Sequence, residues 1–336
     1  MRAVGTLGVA VVGLGVGRQH LLAFQQSEHC TVRRVCDFDP ERMEQAQAET
    51  GAEPAHMMQD ILGDSSVDIV SIASYDDAHA GQVLQALQAG KHVFVEKPLC
   101  RSLEELKEIK QAWATRRSLH LRSNLVLRAA PLYQWLRREI AQGAFGKIYA
   151  FDGDYLYGRI SKITEGWRRD VKDYSVMQGG GVHMVDLMMW LTGQRPFSVS
   201  GVGNHIATDG TAFRYNDFAS GVFQFQSGLV GRITANFGCV HRHQHVIRIF
   251  GTKATFIYDD QGPRLHTTRD PAGESLTIDL SPLPSTKGDL LPGFIDAIVS
   301  AKDGAADAQH EFDVMSICIA ADHAVVSGRP TQVSYV

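Results

Sequence analysis

Through about residue 124 the chain alternates short, apolar, β-branched runs with segments of helical period, and this alternation constrains the fold more than any other feature. Runs at Leu7–Val12, 31–36, 67–73, His92–Val95 and 119–121 read as strands, with helices predicted at 17–26 and at 80–89, the latter ended by Gly90. Such a chain builds a parallel sheet with crossover helices on its faces. A further helix is expected from Ser102, whose hydroxyl caps it while Glu105, three residues on, reaches back to complete a capping box. Leu103, Leu106, Ile109, Lys110 and Trp113 then follow a helical stripe.

Beyond residue 124 the pattern changes. Helical segments at 132–141 and 179–191 accompany strand-like runs at 148–157, 198–202, Phe218–Phe225, 229–237, 246–250 and 255–258. Phe218–Phe225 turns at Gln226-Ser227-Gly228 into the next run, so a largely antiparallel sheet is expected. The predicted class is therefore α/β, with a parallel sheet in residues 1–124 followed by an α+β domain in 125–336. Residues 259–287, rich in Pro, Gly and polar side chains, read as loop or edge strand. Alternation through Phe223, Phe225 and Leu229 predicts an apolar sheet face covered by a second copy of the chain, hence a homo-oligomer.

The 336 residues suit two domains, each large enough to bury more than about 60% of its unfolded surface without disulfide or metal staples. With 33 Lys and Arg against 37 Asp and Glu, and no long run of like charge, there is no electrostatic footprint for a nucleic acid or an anionic membrane. The expected partner is a small molecule. Cys30, Cys36, Cys100, Cys239 and Cys318 are scattered and form no C-x-x-C pair, so they read as free thiols in a reducing cytoplasm. The apolar run Leu7–Val12 is too short for a signal-peptide core, and no stretch of about 18 apolar residues occurs.

The first strand leads into Gly13-Leu14-Gly15-Val16-Gly17. Glycines here permit a tight turn and close approach of the backbone to a pyrophosphate, whose charge a helix N-terminus favours. The third glycine comes one residue earlier than in G-x-G-x-x-G. Asp37 ends the second strand 24 residues after Gly13. A carboxylate there bonds ribose hydroxyls and repels a 2′-phosphate, favouring NAD over NADP. The competing reading is that Asp37 initiates a helix in Asp37-Phe38-Asp39-Pro40, and Arg34 and Arg42 keep NADP as the minor option. Glu96-Lys97-Pro98 falls at the carboxyl end of a predicted parallel strand, where ligands bind in open α/β sheets, although a lone Glu-Lys pair also reads as a surface ion pair.

Together these residues carry a family resemblance. Residues 13–20, Asp37, Ala89-Gly90-Lys91-His92-Val93 with Glu96-Lys97-Pro98, the run Gly179-Gly180-Gly181-Val182-His183-Met184-Val185-Asp186 and Ile249-Phe250-Gly251-Thr252-Lys253 resemble, in order over nearly the whole chain, the Gfo/Idh/MocA oxidoreductases. The resemblance implies an N-terminal Rossmann domain, a second domain on an open, mostly antiparallel sheet, and hydride transfer between a nicotinamide cofactor and a carbon of a sugar, sugar acid, inositol or nucleotide-sugar. Lys97 would sit beside the nicotinamide and His183 would be the general acid/base. An imidazole accepts a hydroxyl proton near neutral pH, and an ammonium stabilises developing alkoxide. Read alone, a His such as His183 at the start of an apolar helix is more often a capping or core residue. The expected cofactor contacts are Gly13, Gly15, Val16, Gly17, Asp37, Phe38, Ser74, Tyr75, His79, Glu96 and Lys97.

The chain also departs from the pattern. Many dehydrogenases of the family carry an acid four positions before this His, where this chain has Gly179, so the imidazole lacks that orienting partner unless another group substitutes. Tyr75 stands where Pro is usual, and Asn124 with Arg128-Ala129-Ala130-Pro131 resembles the first substrate-domain segment without its usual aromatics. Asp186, on the face of His183, reads as a substrate contact, a support for His183 or an exposed helix acid. Tyr155, Tyr157, Arg159, Lys162, Trp167, Arg168 and Arg169 offer aromatic faces for a sugar ring and cations for an acidic group on it, or alternate on a surface strand and loop. The expected substrate contacts are Asn124, Arg128, Tyr157, Trp167, Arg168, His183 and Asp186. His241, His243 and His245 share one strand face about 7 Å apart, too far to converge on an ion without a bend, so no metal is expected. Two further functions stay open: a redox-neutral sugar-processing enzyme that recycles its NAD, and a nucleotide sensor with degraded catalysis.

Overall fold

In the computed structural model, which describes residues 6–336, the alternating half of the sequence becomes a six-stranded sheet. Strands β1 (Leu7–Val12), β2 (Cys30–Cys36), β3 (Glu53–Pro54), β4 (Ile69–Ile72), β5 (His92–Val95) and β6 (Leu121–Ser123) lie in the order β3-β2-β1-β4-β5-β6, and every pair is parallel. The order reverses beside β1, and ligands of such sheets bind outside the carboxyl ends of the strands at that switch point. The crossovers carry α1 (Gly17–Gln25), α2 (Pro40–Thr50), α3 (Met58–Leu62), α4 (His79–Gln88) and α5 (Leu103–Ala114). Helices on both faces dry the strands completely, so Val9, Ala10, Val11, Ile69, Val70 and Ile72 have no exposed surface.

Local chemistry sets the helix ends. Asp39 caps α2 by accepting from the Glu41 and Arg42 amides, with Pro40 in the first turn, and Gly51 closes it at φ 69°. The Ser102–Glu105 capping box starts α5 as expected. Two strands are shorter or later than the sequence suggests. The Leu119 amide donates to Arg116 O and its carbonyl accepts from Trp113 Nε1, so the exit of α5 consumes it and β6 begins at Leu121. Val67 is likewise taken by a turn from Asp64 and by the Lys91 ammonium, leaving β4 to start at Ile69.

The remaining strands form a nine-stranded sheet. They are β7 (Ile148–Leu156), β8 (Pro196–Asn204), β9 (Phe218–Phe225), β10 (Val230–Asn236), β11 (Gln244–Gly251), β12 (Thr255–Asp259), β13 (Gly262–His266), β14 (Leu276–Thr277) and β15 (Thr331–Gln332). Their order is β14-β13-β12-β11-β7-β10-β9-β8-β15, antiparallel throughout except where β10 runs parallel to β7. The stretch from 259 is thus partly edge strand. Helices α6 (Pro131–Ala141), α7 (Ser161–Thr164), α8 (Val182–Thr192), α9 (Leu291–Val299) and α10 (Ala305–Ser327) complete the chain. Two compact units result: one contains the residues through Val126 together with Pro284–Met315 and Val336, the other Leu127–Leu283 with Ser316–Tyr335.

Helix α8 covers one face of the larger sheet. Gly153 and Gly231 leave room for it, since a Cβ there would stand 3.2 Å from Met184 Cβ and 2.3 Å from Met188 Sδ respectively. Phe223, Phe225 and Leu229, expected to await a partner, are only 0%, 4% and 1% exposed, because this covered face is their own. The outward face is the opposite one. It presents Val202, Val222 and Val230, exposed by 69%, 41% and 45%, beside the ion pairs of Arg232 with Asp152 and Asp154. Phe223→Ala is expected to cost about 3–5 kcal/mol in urea unfolding, and Val222→Ala less than about 0.5 kcal/mol; equal costs would contradict this assignment of faces.

Candidate functional site

In the first unit the turn after β1 is built for close backbone approach. Gly13 has φ 83°, and a Cβ on it would lie 2.4 Å from Ala73 O, so only glycine fits. A Cβ on Gly17 would meet Ala73 Cβ at 3.1 Å and Val11 Cγ1 at 3.2 Å. Gly17 thus packs the helix closely on the sheet even though it comes one residue early in the motif. Gly15 and Val16 are exposed, and no side chain caps α1, so its first-turn amides remain turned outward as an anion cradle. These residues fit a dinucleotide pyrophosphate.

Asp37 stands at the end of β2, where Oδ2 accepts from the Leu14 amide at 2.5 Å and Oδ1 from the Asp39 amide at 2.9 Å. It braces the glycine turn, and Asp39 rather than Asp37 caps the helix. Beside it Phe38 and Tyr75, exposed by 77% and 42%, bring their rings to 5.8 Å. Ser74 Oγ donates to Gln82 Oε1, while the His79 imidazole lies between Pro98 O at 2.7 Å and Ser74 O at 3.2 Å. One ring thereby ties together the loops that follow β4 and β5. Arg34 is engaged by Asp64 and Glu53, and Arg42 by Asp39.

Glu96 follows β5 and is not a surface ion pair, for it is only 9% exposed. Its Oε1 accepts from Asn124 Nδ2 at 2.7 Å and lies 3.3 Å from His20 Nε2. His20, wholly buried, places Nδ1 3.0 Å from Ser71 Oγ and packs edge-on against Phe94. Asn124 Nδ2 also reaches Lys287 O at 2.8 Å. Burial pushes the Glu96 carboxyl up, but the His20 hydrogen bond and charge, then the ammonium groups of Lys97 and Lys287, outweigh it and hold the group at about 2. Half-buried Lys97 is thus carried by an anchored residue, and its peptide bond to Pro98 is cis. Asn124, expected to touch substrate, is in this structure part of the anchor. Sequence reading gave no role to His20 or Lys287; the only signal for His20 was its place in the 13–20 run.

In the second unit a π-helical turn, Met177–Gly181, runs into α8 and carries the three consecutive glycines. Such turns recur at functional sites. Each glycine admits a neighbour: a Cβ would come within 2.2 Å of Tyr174 Oη at 179, 2.4 Å of Tyr155 Cε1 at 180 and 2.5 Å of Met177 Sδ at 181. His183, 4% exposed, stacks with Tyr155 at 6.1 Å and 18° and faces His245 at 6.2 Å. Tyr155, Tyr157, Phe237, His243 and His245 continue this ring cluster, with Tyr157 and Phe237 centroids 4.4 Å apart. His241 turns away to Asp260, so the three strand histidines do not act as one set.

Arg128 and Asp186 come together as a buried pair, with both carboxylate oxygens 3.0 Å from Nε. Such a pair fixes orientation more than it adds stability. Arg168 lies over Trp167 at 4.4 Å, Arg159 over Tyr157 at 5.6 Å, Lys162 is exposed, and Arg169 pairs with Asp170. Under the π turn, Asp322 accepts from Ser175 Oγ at 2.6 Å and from Gln178 Nε2 at 2.7 Å, a brace that no motif signalled.

Burial raises the Asp322 carboxyl to about 6, and its two hydrogen bonds only partly oppose this. The unfolded value is about 3.9, so between about pH 4 and 6 the native state binds more protons and this group's contribution to stability falls as pH rises. Asp322→Asn is expected to flatten that slope in urea unfolding followed from pH 4 to 8, and an unchanged slope would refute the assignment.

Comparison with known proteins agrees with this geometry. Levoglucosan dehydrogenase of Pseudarthrobacter phenanthrenivorans is 25% identical over 287 residues, covering 75% of this chain and 73% of that protein. The 2,7-anhydro-N-acetylneuraminate hydratase of Escherichia coli is 26% identical over 266 residues, 76% of this chain and 68% of that protein. The solved structure of levoglucosan dehydrogenase with NADH and levoglucosan matches in fold with a TM-score of 0.84, covering 98% of this chain and 100% of that one at 21% identity. The profile of the oxidoreductase family with an NAD-binding Rossmann fold matches residues 7–122, and that of the GFO/IDH/MocA C-terminal domain matches residues 133–257. With both of its domains matched in order over well over half of its length, the chain belongs to the Gfo/Idh/MocA oxidoreductases.

Proposed function

We propose that this protein is an NAD-dependent dehydrogenase that moves a hydride between the nicotinamide and a hydroxyl or keto carbon of a sugar, sugar acid, inositol or nucleotide-sugar. The observation that carries this reading is Lys97, an ammonium set at the carboxyl edge of a dinucleotide-type sheet by the buried, ionised Glu96. The bound nicotinamide supplies the hydride acceptor or donor. Gly13 makes the turn that lets the amides of Gly15, Val16 and Gly17 hold the pyrophosphate, and Asp37 takes the ribose hydroxyls and repels a 2′-phosphate. Phe38 and Tyr75 give the adenosine end an apolar wall, with Ser74 and His79 shaping the loop behind it.

Lys97 donates a hydrogen bond to the reacting oxygen and stabilises negative charge as it develops there. His183 takes the hydroxyl proton during oxidation and returns it during reduction. Tyr157 and Trp167 offer aromatic faces to a sugar ring, and Arg168 pairs with an acidic substituent. Asp186 and Arg128 hold one another in place beneath the same helix. The outward valine face of the larger sheet suits self-association in a homodimer or homotetramer. No helix among the described residues is long and apolar enough to cross a membrane, the free thiols favour a cytoplasmic setting, and the near balance of 33 Lys and Arg with 37 Asp and Glu favours neither nucleic-acid nor membrane partners.

A second reading is favoured by the likeness to a hydratase: NAD that is reduced and reoxidised within each turnover. Absorbance at 340 nm with NAD and a panel of free, acidic and nucleotide-linked sugars separates the two. Stoichiometric NADH is expected with one substrate class, falling about 10²- to 10⁴-fold in Lys97→Ala and in His183→Ala. Tight NAD binding with product formation but no accumulating NADH would favour the second reading. Asp37→Ala is expected to raise the KM for NAD and to narrow the preference over NADP, and an unchanged cofactor preference would remove Asp37 from the ribose.

A further inference from the structure

The returning segment Pro284–Met315 opens with a turn that sets one lysine beside the glycine turn. Asp289 accepts from the Ser285 amide at 2.6 Å, the Thr286 amide at 3.1 Å and the Thr286 hydroxyl at 2.6 Å, and the Gly288 amide donates to that hydroxyl at 3.0 Å. These bonds close residues 285–289 into a loop with Lys287 at its centre. The Lys287 amide donates to Gln19 Oε1 at 2.7 Å, and the Lys287 carbonyl accepts from Asn124 Nδ2 at 2.8 Å. Gly288 lies directly on α1, since a Cβ there would come within 2.6 Å of Ala23 Cβ and 2.9 Å of Gln19 O. Gln19 is the third residue of α1, so the Lys287 backbone is seated next to the first turn of that helix, whose amides form the anion cradle.

The backbone is fixed, but the side chain is not spent. The half-buried Lys287 ammonium makes no hydrogen bond or ion pair among the described residues. Asp289, the acid nearest to it in sequence, is engaged within the loop. The charge of the ammonium reaches the Glu96 carboxylate and helps to hold it ionised, yet that carboxylate is already met by Asn124 Nδ2 and His20 Nε2. A backbone tied to Gln19 and a charge felt at Glu96 place the ammonium at the carboxyl edge of the sheet, between β5 and α1. An ammonium has three protons to donate, and a half-buried one is stabilised by an anion that accepts them.

The strand order says which part of the dinucleotide this is. Asp37, which takes the adenosine ribose, follows β2 on one side of β1, whereas Glu96 and Asn124 follow β5 and β6 on the other. Lys287 stands on that second side, with Lys97. We propose that Lys287 is a cofactor-binding residue whose ammonium pairs with the phosphate on the nicotinamide side of the NAD pyrophosphate, adding a full charge to the amides of residues 15–17. The proposal rests on the reading of the glycine turn as the dinucleotide cradle. It gives the return of Pro284–Met315 to the first unit a purpose in binding as well as in packing.

The test is isothermal titration calorimetry of the full-length protein with NAD and ADP-ribose, and with AMP by competition against ADP-ribose, in wild type, Lys287→Gln and Lys287→Arg. AMP carries only the adenosine-side phosphate, and ADP-ribose carries both. Lys287→Gln is expected to weaken NAD and ADP-ribose about 10- to 100-fold, the range of a hydrogen bond to a charged group, and AMP less than about twofold. Lys287→Arg, which keeps the charge, should recover most of the loss. Lys287→Met, which keeps the apolar stem, takes the place of Lys287→Gln if that variant does not fold. Unchanged affinity for ADP-ribose, or equal losses for AMP and ADP-ribose as a disturbed fold would give, overturns the proposal and leaves the cradle standing. Wild-type protein that binds neither NAD nor ADP-ribose overturns the cradle itself, and the proposal with it.

Discussion

A carboxylate taken out of water has to be met by donors and cations, and Glu96 is the group around which the first unit is arranged. Its partners come from the length of that unit: His20 from α1, Asn124 from the end of β6, and the charges of Lys97 and Lys287. Ser71 on β4 fixes His20, and the Lys287 main chain is held by Asn124 and by Gln19. A buried network of this kind favours one arrangement of the segments that contribute to it. Lys97 follows the anchored Glu96 directly, so its backbone leaves the sheet edge from a fixed point.

The second unit solves a related problem with shape. Three glycines in succession let Tyr174, Tyr155 and Met177 close against a π turn, so His183 begins its helix within a wall of rings rather than on an open surface. Asp322 braces that turn through Ser175 and Gln178. The Arg128–Asp186 pair takes one carboxylate on the face of His183 out of circulation and leaves the rings of Tyr155 and His245 as its close surroundings.

The parallel sheet, the glycine turn and the Ser102–Glu105 capping box were legible because each is set by local sequence: strand period, turn chemistry or a short motif. Leu119 and Val67 misled because their backbone groups are spent on Trp113 and Lys91, contacts that periodicity does not encode. The parity of Phe223 and Phe225 was legible, but which side α8 covers was not, since that depends on Gly153 and Gly231 admitting Met184 and Met188. His20, Lys287, Tyr174 and Asp322 stayed hidden for the same reason. Their partners are distant in sequence or, for Tyr174, defined by the absence of a side chain. Pro284–Met315 folds with the first unit, a return that no change in composition announces.

The most direct measurement is a crystal structure with NAD bound. The account predicts the pyrophosphate on the amides of residues 15–17, the adenosine ribose on Asp37, and the nicotinamide beside Lys97 with Glu96 still held by Asn124. A pyrophosphate away from the glycine turn, or a nicotinamide remote from Lys97, would contradict it.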